Sequence, residues 1–175
     1  MANVSKLAPK ILKWEGGDKY TEVRNDRGGA TKYGITLNTL KALHYDKNYD
    51  GKVDKTDVKL LTEKDFEKIF KEKFWVKWKG DEIKNQSVAN ILVDWVWGSG
   101  KWGIIIPQRV LGVKADGVVG EKTIEALNKA DQYKFFNIIW NERKKFFENI
   151  VKRDPSQKKF LKGWLNRLND FKFEA

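Results

Sequence analysis

The sequence predicts a mostly α-helical fold with a small N-terminal hairpin or loop excursion. Three observations carry this. Apolar residues recur at helical spacing along most of the chain. Glycines and one Asp-Pro step punctuate those periodic runs. A single stretch, 18–36, loses the periodicity and is dense in glycine, charge and small polar groups.

The first helix is expected over 5–14. Leu7, Ile11, Trp14 and Glu15 follow the i, i+4, i+7, i+8 pattern of one helical face, and Gly16-Gly17 is a stop signal. The excursion then turns at Asn25-Asp26 and Gly28-Gly29. A second helix over 36–43 places Leu37, Leu40 and Leu43 on one face. Thr62-Glu63-Lys64-Asp65 reads as a helix cap opening a helix through Phe66, Ile69, Phe70 and Phe74. Trp75 and Trp78 follow in a short linker toward Gly80. The segment 87–97 is apolar around most of its circumference, so it is expected to be central and buried, ending at Gly98-Ser99-Gly100. Next, a helix ends at Gly112, Asp116-Gly117 turns, Val118 and Val119 plug the core, and Gly120 precedes a helix reaching Leu127. Two long helices, 130–151 and 156–171, close the chain on either side of Asp154-Pro155. No internal repeat or low-complexity segment is present.

Composition excludes several chemistries. Eight Trp and ten Phe among 175 residues supply an ample core. The absence of cysteine rules out disulfides, thiolate zinc sites and a cysteine nucleophile. The single histidine, His44, excludes His-rich metal sites and argues against a Ser-His-Asp triad; a structural role is expected for it. A net charge of +11 favours an anionic partner, whether nucleic acid, anionic membrane or the acidic bacterial envelope. The cations are spread, with denser patches at 68–79, Arg143-Lys144-Lys145 and Lys158-Lys159, and solvated helix faces account for them better than a dedicated binding patch does. The longest apolar stretch, 88–106, is interrupted by Asp94, three glycines and Lys101, so no membrane insertion is expected. Residues 1–6 lack the apolar run of a standard signal peptide, which leaves the export route undefined.

The chemistry centres on Glu15, a carboxylate on an apolar stripe at a helix end. Apolar neighbours disfavour its charged form, and the negative end of the helix dipole disfavours an anion. A carboxylic acid held protonated is what a general acid requires. The competing reading is a Glu that frays into solvent. A loop folding back from the helix end can bring Asp26 and Thr31 across from Glu15, giving an acid, a second carboxylate and a hydroxyl around one cleft. Glycoside hydrolysis uses such parts.

Trp14-Glu15-Gly16-Gly17, followed by Asp26-Arg27-Gly28-Gly29-Ala30-Thr31-Lys32-Tyr33-Gly34-Ile35-Thr36, resembles the N-terminal signature of the bacterial and phage N-acetylmuramidases of glycoside hydrolase family 108. The resemblance implies a lysozyme-like helical fold. It implies Glu15 as catalytic acid, Asp26 and Thr31 as helper residues, and Tyr33 as a substrate contact. The substrate implied is peptidoglycan, cut at the β-1,4 bond between N-acetylmuramic acid and N-acetylglucosamine, in the periplasm or outside the cell. No cofactor for catalysis, no nucleic acid and a monomeric state are expected. One departure is visible. The family loop often carries an additional Asp-Pro between the glycine pairs, where this chain has Thr21-Glu22-Val23-Arg24-Asn25. Asp18 therefore rivals Asp26 as second carboxylate, with Glu22 a third candidate.

A second motif is Asp46-Lys47-Asn48-Tyr49-Asp50-Gly51-Lys52-Val53-Asp54-Lys55-Thr56-Asp57, which has the spacing of an EF-hand calcium loop. Oxygen ligands are expected from Asp46, Asn48, Asp50, the Lys52 carbonyl, Asp54 directly or through water, and Asp57. The ion would be structural Ca2+. An acidic turn held by side-chain-to-backbone hydrogen bonds is the alternative. The terminal Asp in place of Glu makes the loop resemble dockerin loops.

The region from Gln108 to Asn128 resembles the predicted peptidoglycan-binding part of the same muramidases, with the likeness running from Asn85 to Arg167. The division expected is a catalytic region over 1–84 and a helical wall-binding-like region over 85–175. Binding and pure scaffold remain equally open for this half. Asp94, Trp97, Ser99 and Trp102 are candidates for the far wall of a sugar cleft. Asp94 needs a partner on its apolar helix, and Arg143 is suited to it, as substrate orienter or as structural salt bridge. The rival functions are a non-catalytic wall-binding or secretion-assisting protein on the same scaffold and, from charge alone, a basic nucleic-acid binder.

Overall fold

The computed structural model spans residues 1–175 and describes 1–22 and 29–175. The described residues form nine α-helices and one three-stranded sheet, divided between two compact units. One unit is Ser5–Glu72. The other is Lys73–Ala175 together with Met1–Val4.

The smaller unit begins with α1 (Val4–Trp14), whose Leu7 and Ile11 are fully buried. β1 (Thr21–Glu22), β2 (Ala30–Lys32) and β3 (Ile35–Thr36) make an antiparallel sheet in that order. Thr21 pairs with Thr31, Thr31 with Thr36, and Lys32 with Ile35. The two residues joining β2 to β3, Tyr33 and Gly34, both have positive φ, +54° and +75°. Left-handed geometry at both positions matches the twist of the flanking strands. α2 (Leu37–Ala42) starts at Thr36, whose hydroxyl accepts the Thr39 N–H. α3 (Lys55–Leu60) and α4 (Glu63–Lys73) complete the unit. The Thr62–Asp65 cap is present in both directions: the Asp65 N–H donates to Thr62 Oγ1, and the Thr62 N–H donates to Asp65 Oδ2. Ile35, Leu40, Val58, Phe66, Ile69 and Phe70 are among its buried apolar residues.

The larger unit is built on α5 (Gln86–Ser99), whose residues from Ser87 to Val96 are all buried. The helix runs through Gly98 and Ser99 and stops at Gly100, whose N–H donates to the Val96 carbonyl. α6 (Trp102–Leu111), α7 (Glu121–Lys129), α8 (Gln132–Arg153) and α9 (Lys158–Asn169) follow, with a 3-10 turn at Pro155–Gln157 before α9. α6 starts directly against α5. A Cβ on Gly103 would stand 2.6 Å from the Val96 backbone nitrogen, so only glycine fits there. The boundary anticipated at 84/85 falls inside this unit, because the Trp75–Trp78 turn packs with α5 and the Trp78 indole donates to the Gly103 carbonyl at 3.1 Å. The chain start is stitched to the same unit. The Ala2 N–H donates to the Ile83 carbonyl, and the Asn3 N–H donates to Gln86 Oε1.

One core expectation is corrected. Val119 is buried, but Val118 is 67% exposed. Buried Gln108 clamps the Asp116-Gly117 turn, accepting the Gly117 N–H and donating to the Val118 carbonyl. Neighbouring side chains in extended backbone point opposite ways, so fixing Val119 inward turns Val118 out.

Candidate active site

Glu15 is the first residue past α1 and is half-buried. Its N–H donates to Ile11, and the Gly17 N–H reaches back to the Leu12 carbonyl at 3.1 Å. That six-to-one bond across left-handed Gly16 (φ +81°) is a Schellman termination. No atom lies within 4 Å of a Cβ built on Gly16, so backbone geometry, not space, demands the glycine. The Trp-Glu-Gly-Gly run thus fixes where the acid stands through main-chain bonds.

Thr31 sits in β2 of the same unit, with Thr21 and Thr36 opposite it on either side. Directly paired residues share a face, so the three threonines line one side of the sheet. Asp26 lies outside the described residues. Among its rivals, Asp18 is exposed. Glu22 pairs with Ala30 on the face opposite Thr31, where it forms an ion pair with Lys55 and accepts the Tyr20 hydroxyl. The hydrogen bond from Lys55 holds its carboxyl below the usual range. Tyr33 is a core residue here: it is 6% exposed with its ring 6.3 Å from Phe66. Burial first, then the negative charges of Asp18, Glu63 and Asp65, push its hydroxyl up.

The Asp46–Asp57 loop turns its oxygens onto its own backbone. Asp46 accepts the N–H groups of Asp50 and Gly51, Asn48 accepts that of Asp50, and Asp50 accepts that of Lys52. Asp54 caps α3 by accepting the Thr56 N–H. Asp57 is fully buried; one oxygen accepts from Lys47 and Asn48 and the other from Asp54. Burial works against the Asp57 anion, but these backbone bonds outweigh it and hold its carboxyl below the usual range. Asp57 is therefore the capping-box partner of Asp54. Among the described residues no three His, Cys, Asp or Glu side chains gather as a metal cluster. Asp46, Asn48, Asp50 and the Lys52 carbonyl still supply hard oxygens on alternate positions of one turn, as calcium requires.

The expected far-wall residues belong to the larger unit. Asp94 is 1% exposed, and both its oxygens are taken: Arg143 Nη2 donates to one at 2.9 Å and Arg167 Nη2 to the other at 2.7 Å. Such a carboxylate holds helices together. Arg167 as second partner was missed, because α9 gave no sign of which face it turns to α5. Burial pushes the Arg143 guanidinium down while Asp94 opposes the shift. Trp97 is half-buried, edge-on to Phe74 at 4.7 Å. Ser99 ends α5, and Trp102, 47% exposed, opens α6. Sequence reasoning also missed the clamp residue Gln108, since a lone Gln on an apolar helix carries no distinctive spacing.

Residues 8–100 match the family described as Glycosyl hydrolase 108, and residues 102–169 match one described as Predicted Peptidoglycan domain. Fold and matches together define the class, a helical glycoside hydrolase directed at peptidoglycan. The chain belongs to the glycosyl hydrolase 108 family. Eleven chains of solved structures are similar, among them SagA of Brucella abortus, at 32% identity and a TM-score of 0.74, covering 96% of this chain and 90% of that one. No curated protein matches. No helix among the described residues is long and apolar enough to cross a membrane.

Proposed function

We propose that the protein is an N-acetylmuramidase that hydrolyses the β-1,4 bond between N-acetylmuramic acid and N-acetylglucosamine, with Glu15 as general acid. Glu15 gives its proton to the glycosidic oxygen as the bond to the sugar C1 breaks. Water supplies the hydroxyl that replaces the leaving group, and its remaining proton restores the Glu15 acid; Thr31 and Asp26 orient that water or stabilise the positive charge on the ring. The observation that carries this reading is the placement of Glu15 at the Schellman end of α1, in the unit that also holds Thr31. Glu15→Gln is expected to keep the melting temperature and to lower clearing of a wall suspension by about 10²–10⁴-fold, the usual worth of a general acid. A variant that clears walls at the wild-type rate removes Glu15 from the mechanism. A wild-type protein that sediments with walls yet never clears them is a wall-binding protein instead.

The reading includes a structural Ca2+ held by Asp46, Asn48, Asp50, the Lys52 carbonyl and, through water, Asp54. Support comes from the alternating oxygen donors and the left-handed Gly51 at the loop's sharp turn. The protein is expected to act as a monomer, without nucleic acid.

A further inference from the structure

A groove of about 450 Å³ runs between α6 and α8 in the larger unit. Trp102, Ile106 and Arg109 stand at i, i+4 and i+7 on α6, so they share one face. α8 answers with Lys145, Phe146 and Arg153, again one face over two turns. The floor is apolar, with the Phe146 ring packed edge-on against buried Trp95 at 5.7 Å. Trp102 offers its indole at one end. The rim is cationic. Lys145 is shared with Glu142 at 3.6 Å, whereas neither Arg109 nor Arg153 has a carboxylate partner among the described residues.

We infer that this groove is a subsite for the acidic stem peptide of peptidoglycan, with the amino sugar that carries the peptide stacked on Trp102. This rests on the peptidoglycan reading above and deepens it. An exposed indole suits the apolar face of a pyranose, and a guanidinium fork suits a carboxylate. Spacing selects the peptide over a lone sugar acid. Trp102 and Arg109 are seven residues apart on one helix, about 10 Å along its axis. A peptide extending about 3.3–3.6 Å per residue covers that gap in three residues, whereas a carboxylate on the sugar's own side group does not. The two arginines, on different helices, ask for more than one carboxylate, which an acidic peptide supplies.

The test uses full-length Glu15→Gln protein, so that ligand survives. The probes are a soluble disaccharide-tetrapeptide from peptidoglycan, the same disaccharide without peptide, and neutral chitotetraose. The readout is the Trp102 indole N–H resonance, assigned with a Trp102→Phe variant. The peptide-bearing probe is expected to move that resonance and to bind about tenfold tighter than the peptide-free disaccharide, a preference that Arg109→Ala with Arg153→Ala abolishes. An unmoved resonance, an unchanged preference in the double variant, or stronger binding of a single-stranded oligonucleotide overturns the inference. Wall clearing by the wild type is scored separately. If clearing occurs and the groove stays silent, the subsite falls and the hydrolase stands; if the groove responds and nothing clears, the reverse holds.

Discussion

A carboxylate that accepts four hydrogen bonds behaves unlike one in water. Asp65 takes them from the Tyr45 hydroxyl, the Lys47 ammonium, and the N–H and hydroxyl of Thr62. Burial opposes its charge, but these bonds win and bring its carboxyl from 3.8 to about 2. Burial, and then the bond to Asp65, push the Tyr45 hydroxyl far above its ordinary range. The folded state binds the Asp65 proton less readily than the unfolded chain, so this stability is complete above about pH 4 and vanishes as pH falls through about 2. The shift corresponds to about 2 kcal/mol. Asp65→Asn is expected to lower stability at pH 7 by about that much and to flatten the fall between pH 4 and 2, measured by urea unfolding across pH. Equal acid slopes in both proteins would remove Asp65 as the cause. At this scale the sequence was partly legible. The end of α1 at Glu15 was readable because helical stripe and glycine stop both act within a few residues. Tyr33 was not, because whether a ring on a left-handed turn points inward depends on Phe66, far along the chain. Asp65 was read as a cap, but its bonds to Tyr45 and Lys47 are tertiary.

Elements show a different ambiguity. Asp54-x-x-Asp57 satisfies both the end of a calcium loop and a helix capping box, and the local spacing cannot separate them. The fold uses Asp57 for the cap. The loop thereby begins α3 already ordered, so bound calcium would stabilise an existing turn rather than create one. At a hundredfold excess over its dissociation constant, calcium is expected to add about 2–3 kcal/mol. Melting in calcium against chelator reads this, and Asp46→Ala should erase the difference. Identical melting curves for the wild type with calcium and with chelator would exclude the ion. α3 went unpredicted, because its first turn was read as the end of the calcium loop; the other helices fall close to where they were expected, since caps at Thr36, Thr62, Asp131 and Asp154 and the stop at Gly112 all act locally. The Tyr33-Gly34 reversal went unread because Tyr is an unusual residue for the first left-handed position of a two-residue turn.

Across the larger unit, one buried carboxylate joins three helices. Asp94 on α5 binds Arg143 on α8 and Arg167 on α9, and Arg143 also donates to the Ile91 carbonyl at 3.1 Å. Removing the anion strands a guanidinium that is 2% exposed. Asp94→Ala is expected to cost about 3–5 kcal/mol, the usual penalty for an uncompensated buried charge. Chemical denaturation checks it, and a loss below ~1 kcal/mol would show that Arg143 finds other company. The mostly α architecture was legible from periodicity alone, and the family from two glycine-paired motifs. The partition into units was not, because it depends on which distant segments pack together.

The hydrogen bonds from Ala2 and Asn3 to Ile83 and Gln86 make the larger unit discontinuous in the chain, with the smaller one inserted into it. On a ribosome, residues 2 and 3 wait for the eighties to emerge before they find their partners. A protease nick at 72/73 would likewise not part the units cleanly, because one fragment would still carry a strap belonging to the other.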